Sequence, residues 1–309
     1  MQISRRNKGG QGTIGLDIDG AYLAAAQVSS DGIQKAVSTS LEPGIVVDGE
    51  VADGDRLVEA LRDFVRDHNL PRNVRLGVGN QQIAVRHLDL PKIDDRAERE
   101  TAVRFQAAEA MPMPLDDAVV DYSVVGEHTN AEGATRETVV VVAARRPMIS
   151  SYIDPVRRAG LKPVGIDLDA FALVRVLGDQ SDPEQMARVY CHLGGIANLA
   201  VAKGSVCLFT RPLSTPWEGE RVDVDALAEE MRISIDYYGG QPDSQPIGEI
   251  LLSGAGSDDA ELVRRLNELM ILPVSAAAPL GRLSPDSLPV GETPYRHTVS
   301  VGLALGAAA

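Results

Sequence analysis

Three glycine-bearing turns hold most of the residues in this 309-residue chain that could do chemistry. The first lies in GTIGLDIDGAYLAAAQVS (residues 12–29), where Asp17, Asp19 and Gly20 form an acidic turn between two apolar strands. Such a turn can aim backbone N–H groups at an anion while a carboxylate at its edge positions a cation and its waters. It can equally be a bend that only shares that shape. The second turn is His192-Leu193-Gly194-Gly195, whose glycines could offer amides to an anion, and the third is Gly254-Ala255-Gly256-Ser257. For the third, a strand-to-helix turn that needs glycine for its own backbone is the alternative. Two further pairs are weaker. Cys191 and His192 have the residue types of a nucleophile and its base, but neighbours on a strand point to opposite faces and do not easily meet. Asp167 and Asp169 have the spacing of paired carboxylates, yet a helix N-cap role for either is favoured. The five histidines are scattered without metal-ligand spacing, so no metal site is expected.

The elements that position these turns read clearly. After the opening strand, AYLAAAQVSS and IQKAVSTSL flank Asp31-Gly32, a hairpin dipeptide, so three antiparallel strands begin the fold. Residues 53–68 place Leu57, Leu61 and Val65 on one helical face, with Asp53 at the N-cap position. NVRLGV and QQIAVRHLDL follow as strands around Gly79-Asn80. A helix from about Asp94 to Ala110 then stops at Pro112 and Pro114. Two more strands, DAVVDYSVVGE and ETVVVVAA, complete a strand, helix, strand, strand insert over 81–146. The chain returns through a helix, the strand LKPVGID and the helix DAFALVRVL to a polar break at DQSDPEQ.

The second half restarts with ARVYCHLGGIANLAVAKGSVCLFTRPL, another three-strand meander, followed by helix, strand, helix and a last apolar helix. The order βββαβα therefore occurs twice, a stronger signal than any one glycine motif. The expected fold class is α/β: two such units facing each other across a cleft, with a small α+β insert. The expected boundaries are a flexible tail at 1–11, a first domain of 12–80 with 147–180, the insert at 81–146, and a second domain at 181–309.

Composition narrows the function. A net charge of -14 argues against nucleic acid, whose phosphates are bound by clustered Lys and Arg. Arg5, Arg6 and Lys8 form only a small cationic cluster, read as a solvated tail. No apolar h-region and no run of about 18 apolar residues is present, so neither a signal peptide nor a spanning helix is expected. The chain is expected to stay in the cytoplasm. Its two cysteines suit reduced core thiols.

At this level the chain resembles the PilM family of type IV pilus assembly proteins, within the actin-like superfamily of actin, hexokinase and the heat-shock 70 ATPases. The likeness is carried by IGLDID; by LDLP, an acidic helix and MPMPLDDAVVDYSVVGE; by VVVVAARRPMISSYIDPVRRAGLKPVGIDLDAFALVRVL; and by ILLSGAGS. It implies a ribonuclease H-like duplicated core with the family's extra subdomain at the insert. It also implies a position at the inner face of the membrane, held by the N-terminal segment of a bitopic PilN-like partner, and ATP with Mg²⁺ in the interdomain cleft.

Held against that pattern, the cleft is incomplete. Asp17 and Gly20 are kept, but Ala21 and Ala24 stand where the resemblance implies a hydroxyl and a lysine, and Asp19 adds negative charge. His192 replaces the second acid, which puts Mg²⁺ positioning in doubt, because imidazole suits a hard cation poorly. Only about nine residues around TPWEGERV, including Trp217, lie where a helical subdomain should wall the adenine side. The expectation is a scaffold with a degenerate nucleotide site and no catalytic residues. Were nucleotide still bound, Asp17, Gly20, Gly194, Gly195, Gly254 and Gly256 would hold it, and the alternative function is an ATPase or nucleotide-dependent switch. The expected partner surface is QQIAVRHLDLP, with Arg86, Leu88 and Leu90 on an edge-pairing strand; a strand paired wholly inside its own subdomain is the competing reading.

Overall fold

The computed structural model describes residues 12–29, 32–178, 185–214, 217–218, 221–279, 288 and 292–308. The tail at 1–11, with its cationic cluster, and Asp31 of the first hairpin turn lie outside the described residues. Residues 81–151 form one compact unit, and the chain up to Asn80 together with that from Tyr152 forms another.

The chain begins with β1 (Thr13–Ile18), β2 (Tyr22–Ser29) and β3 (Gly32–Ser40), a short hairpin β4 (Val46–Val47) and β5 (Glu50–Val51), then α1 (Gly54–Asp67) and β6 (Asn73–Val78). The insert supplies β7 (Ile83–Pro91), α2 (Arg96–Ala110), β8 (Ala118–Thr129) and β9 (Thr135–Arg145). Next come α3 (Arg146–Arg158), β10 (Lys162–Leu168) and α4 (Asp169–Leu177). The second half runs β11 (Ala187–Leu193), β12 (Ala197–Lys203), β13 (Val206–Leu213), β14 (Trp217–Glu218), β15 (Arg221–Val222) and α5 (Val224–Gly239). It ends with β16 (Ile247–Gly254), α6 (Ala260–Leu269), β17 (Val274–Ala276) and α7 (Thr298–Ala308).

The duplication expected from sequence is observed. One sheet has the order β3-β2-β1-β6-β10 and the other β13-β12-β11-β16-β17, each a meander extended by two parallel strands. Asp53 caps α1 by accepting from Arg56 N–H at 3.0 Å, and Leu57, Val58, Leu61, Phe64 and Val65 are its buried face. Cys191 belongs to the second sheet's core with Leu199, Leu227 and Leu252, and burial pushes its thiol up to about 12. Between β13 and α5 the described structure is the two-residue strands β14 and β15; the Trp217 side chain lies outside the described part.

Two helices tie the halves together. The first half's α4 packs Ala170, Leu173 and Val174 on Tyr190, Ala200 and Ala202 of the second sheet. The second half's α7 packs Val301 and Ala304 on Ala26, Val28 and Ile33 of the first. The helices meet through Ala172, Val299 and Leu303. Their approach depends on glycine: a Cβ at Gly302 would lie 2.0 Å from the Ala172 carbonyl oxygen, and one at Gly15 2.0 Å from that of Ser300. Both sheets and both helices lie in the compact unit formed by the chain up to Asn80 and from Tyr152.

In the insert the sheet order is β7-β9-β8, and α2 packs Val103 and Ala107 on Leu88, Leu90, Val139 and Val141. Glu137, buried on β9, is held by Arg99 of α2 at 3.1 and 3.2 Å.

Candidate functional site

The first two turns meet in a small polar cleft lined by Asp17, Ile18, Asp19, Gly49, Gly79, Tyr152, Asp169, His192, Ile196 and Asn198. Asp17, next to last in β1, is a buried side chain, since β1 is the central strand of its sheet. Asp19 stands in the turn after it. Its two carboxylate oxygens each lie 2.8 Å from the Gly195 nitrogen, so the second turn's amide donates to the first turn's side chain. The turns also touch through backbone: a Cβ at Gly195 would lie 2.2 Å from the Asp19 carbonyl oxygen and 3.2 Å from Gly20 Cα, and one at Gly194 1.8 Å from Asp19 Oδ2. The amide that sequence reading left open for an anion is therefore taken by the chain's own Asp19.

His192 faces the cleft from β11, opposite in direction to Cys191. Its Nδ1 is 2.8 Å from Ser253 Oγ and its Nε2 3.3 Å from the Tyr22 hydroxyl, and burial pushes its pKa down to about 4, a neutral ring. Gly254 ends β16 and Gly256 lies in the turn that follows. Gly254 has φ +91 and its missing side chain leaves room for the Leu193 carbonyl oxygen at 2.0 Å, so the structure supplies a packing reason for that glycine.

The two carboxylates of GIDLDAF are not N-caps. The N-cap of α4 is Leu168, without a side-chain bond. Asp167 pairs with Arg75 at 3.3 Å and Arg175 at 2.8 Å, while Asp169 occupies the first helical turn and turns into the cleft. Cationic partners on neighbouring elements outweigh the local capping preference at Asp167.

Several cleft residues escaped sequence reading. Asp48 and Gly49, with φ 51 and 68, form the turn of the β4–β5 hairpin. The Gly49 carbonyl accepts from Asn80 Nδ2 at 2.8 Å and the Tyr152 hydroxyl at 2.9 Å. The signal was present: VVDGEV carries the same Asp-Gly dipeptide used to read the first hairpin.

Three carboxyls share this cleft, and their titration has a sign. Burial, then Asp169 and Asp19, raises Asp17 well above the ordinary range. Burial likewise lifts Asp19 from 3.8 to about 7, against hydrogen bonds from Gly195 and Ala21, and Asp169 to about 8. Each holds its proton more tightly in the fold than in the open chain, so stability falls as pH rises from about 4 toward 8. His192 acts oppositely, but only between about 4 and 6.5. Between about pH 6.5 and 8.5 the carboxyls prevail. Discounted for the solvent reaching the partly exposed Asp19 and Asp169, the loss there is about 1–2 kcal/mol, a few degrees in melting temperature. Asp169→Asn flattens this slope; a melting temperature that holds or rises from pH 6.5 to 8.5 contradicts the assignment.

In the insert, Arg86 is exposed on β7, whereas Leu88 and Leu90 are buried in the core under α2. β7 pairs with β9 alone within its sheet, at the sheet's edge.

Comparison with known structures identifies the fold. A PilM–PilN type IV pilus biogenesis complex superposes with a TM-score of 0.81 at 21% identity, over 96% of this chain and 98% of that chain. The cytoplasmic domain of EpsL, an inner-membrane component of the type II secretion system of Vibrio cholerae, gives 0.50 at 11% identity, over 95% and 94%. A Bacteroides thetaiotaomicron protein with an actin-like ATPase fold gives 0.47 at 10% identity, over 90% and 95%. The family model for type IV pilus assembly protein PilM matches residues 15–189, from β1 through the whole insert and α4 into β11. Since that stretch is more than half of its length, the chain belongs to the PilM family of type IV pilus assembly proteins.

Proposed function

We propose that the chain is an actin-fold scaffold of type IV pilus assembly or a related secretion machine, working at the inner face of the membrane without nucleotide chemistry. In this reading it binds the cytoplasmic segment of a bitopic PilN-like protein. The observation that carries the reading of the cleft is the hydrogen bond from Gly195 N–H to Asp19, which takes the donor that a phosphate would need. The cavity between the turns, about 10 Å³, is on the order of one water molecule and far below a triphosphate. Neutral His192 replaces the second acid. The residues present do not fit a nucleotide with its magnesium, and no chemical step is derived through them.

The partner is supported by the PilM–PilN complex whose fold the chain shares. No helix among the described residues is long and apolar enough to cross a membrane. A partner segment adding to the edge of β7 would bond through main-chain groups, with the exposed Arg86 on the same face as Leu88 and Leu90, which anchor the strand in its core. A pull-down with the candidate partner's cytoplasmic N-terminal peptide should retain the protein, more weakly for Arg86→Glu. No binding across micromolar peptide counts against the proposal.

A second reading, a nucleotide-dependent switch, is favoured by one observation: Asp17 Oδ2 and Asp169 Oδ1 are buried without a hydrogen-bond partner among the described residues. Isothermal titration with Mg·ATP separates the two. The scaffold gives no saturable heat; heat in the wild type that vanishes in Asp17→Ala establishes the switch.

A further inference from the structure

Asp19 and Gly195 stand 176 positions apart in sequence, yet their turns are interlocked by both side chain and backbone. Of the Asp19 oxygens, Oδ1 also accepts from Ala21 N–H at 3.2 Å, so the carboxylate is oriented locally before it crosses to the second turn. Asp17, Asp169, Tyr152 and His192 line the same cleft, and after burial the charge of Asp19 helps to raise Asp17 and Asp169, which hold their protons beside it. The cation that favours its ionised form is Arg296, whose guanidinium lies 5.2 Å over the Tyr22 ring. A carboxylate buried in this cleft is retained at a cost, and the bond it makes once ionised is a charge-assisted one to a backbone amide, among the stronger hydrogen bonds available.

We propose that Asp19 is a built-in anion: its carboxylate clasps the second turn at the Gly195 amide, closes the cleft from within, and bars phosphate-bearing ligands from that amide. Only the class of the excluded ligand rests on the cleft reading given above; the clasp itself does not. The residue is a positioning group for the two halves and an autoinhibitory one toward anions. It also accounts for the glycines at 194 and 195 without a ligand, since any side chain at either would collide with Asp19.

The first test uses the unliganded wild-type chain. In an isotope-labelled sample, nuclear magnetic resonance should show a coupling across the hydrogen bond from the Gly195 nitrogen to the Asp19 carboxyl carbon. Its absence, where the β1–β2 ladder shows such couplings, overturns the clasp. In hydrogen exchange, the segment 193–198 should exchange about tenfold faster in Asp19→Ala, and to a lesser degree in Asp19→Asn, which keeps an acceptor. An unchanged rate in folded Asp19→Ala overturns it as well. Inorganic tripolyphosphate, the probe for exclusion, should bind Asp19→Ala more tightly than wild type; equal or weaker binding overturns the exclusion. Should Asp19→Ala not fold, the wild-type coupling still decides. Mg·ATP binding by the wild type would defeat the scaffold reading of the cleft, whereas the coupling is measured without nucleotide, so the two failures are distinct.

Discussion

One added methyl at Gly302 is expected to destabilise the protein by on the order of 4 kcal/mol, read from chemical denaturation of Gly302→Ala. Helix propensity alone argues the other way, because alanine is favoured over glycine in a helix interior by about 1 kcal/mol. Packing prevails because the obstacle is backbone: the new Cβ would sit 2.0 Å from the Ala172 carbonyl oxygen and 2.5 Å from its carbon, atoms that cannot rotate away. Relief requires α4 and α7 to separate, which uncovers Ala172, Val299 and Leu303. Gly239, the last residue of α5, provides the comparison, since nothing lies within 4 Å of its Cβ position. Gly239→Ala should be neutral or slightly stabilising. If both variants are equally stable, the close crossing of α4 and α7 is wrong.

The second large effect belongs to the insert. Glu137→Ala is expected to cost about 2–3 kcal/mol, discounted from a fully buried pair because the Arg99 side chain keeps 22% of its exposure. The loss is asymmetric. Removing the carboxylate leaves the Arg99 guanidinium over an apolar core built on Val103, Ala107, Val139 and Val141, with the Ile93 carbonyl as its remaining acceptor. Replacing both partners, Arg99→Met with Glu137→Met, should recover most of the stability. Hydrogen exchange over residues 81–151 of the full chain is the appropriate measurement, because the change should stay local. Equal destabilisation by the single and double variants refutes the pairing.

Local elements were legible in the sequence wherever a period or a breaker marked them. The apolar face of α1 and the prolines after α2 are each encoded within about fifteen residues and the two glycine-turned meanders each within about thirty, and together they gave the repeated sheet order. β17 was missed because three residues carry no period. The close packing of α7 on α4 and β1 was missed because Gly15, Ala172 and Gly302 are informative only as a set, and no local pattern joins them. Asp19 is the instructive case. Sequence reasoning saw a negative charge where phosphate should sit and counted repulsion; it did not see that such a charge could itself take the vacant amide of a turn 176 positions away.

The exchange of α4 and α7 between the sheets also sets an order of events during synthesis. The face of β2 and β3 formed by Ala26, Val28 and Ile33 is complete once β3 has left the ribosome, but the helix that covers it is residues 298–308. At about 5–20 residues per second, that face waits roughly 10–50 seconds for its cover. A nascent chain of this protein therefore carries an uncovered apolar sheet while the elements from β4 to β17 are made, and it is α7 that ends the exposure of that sheet to chaperones and proteases.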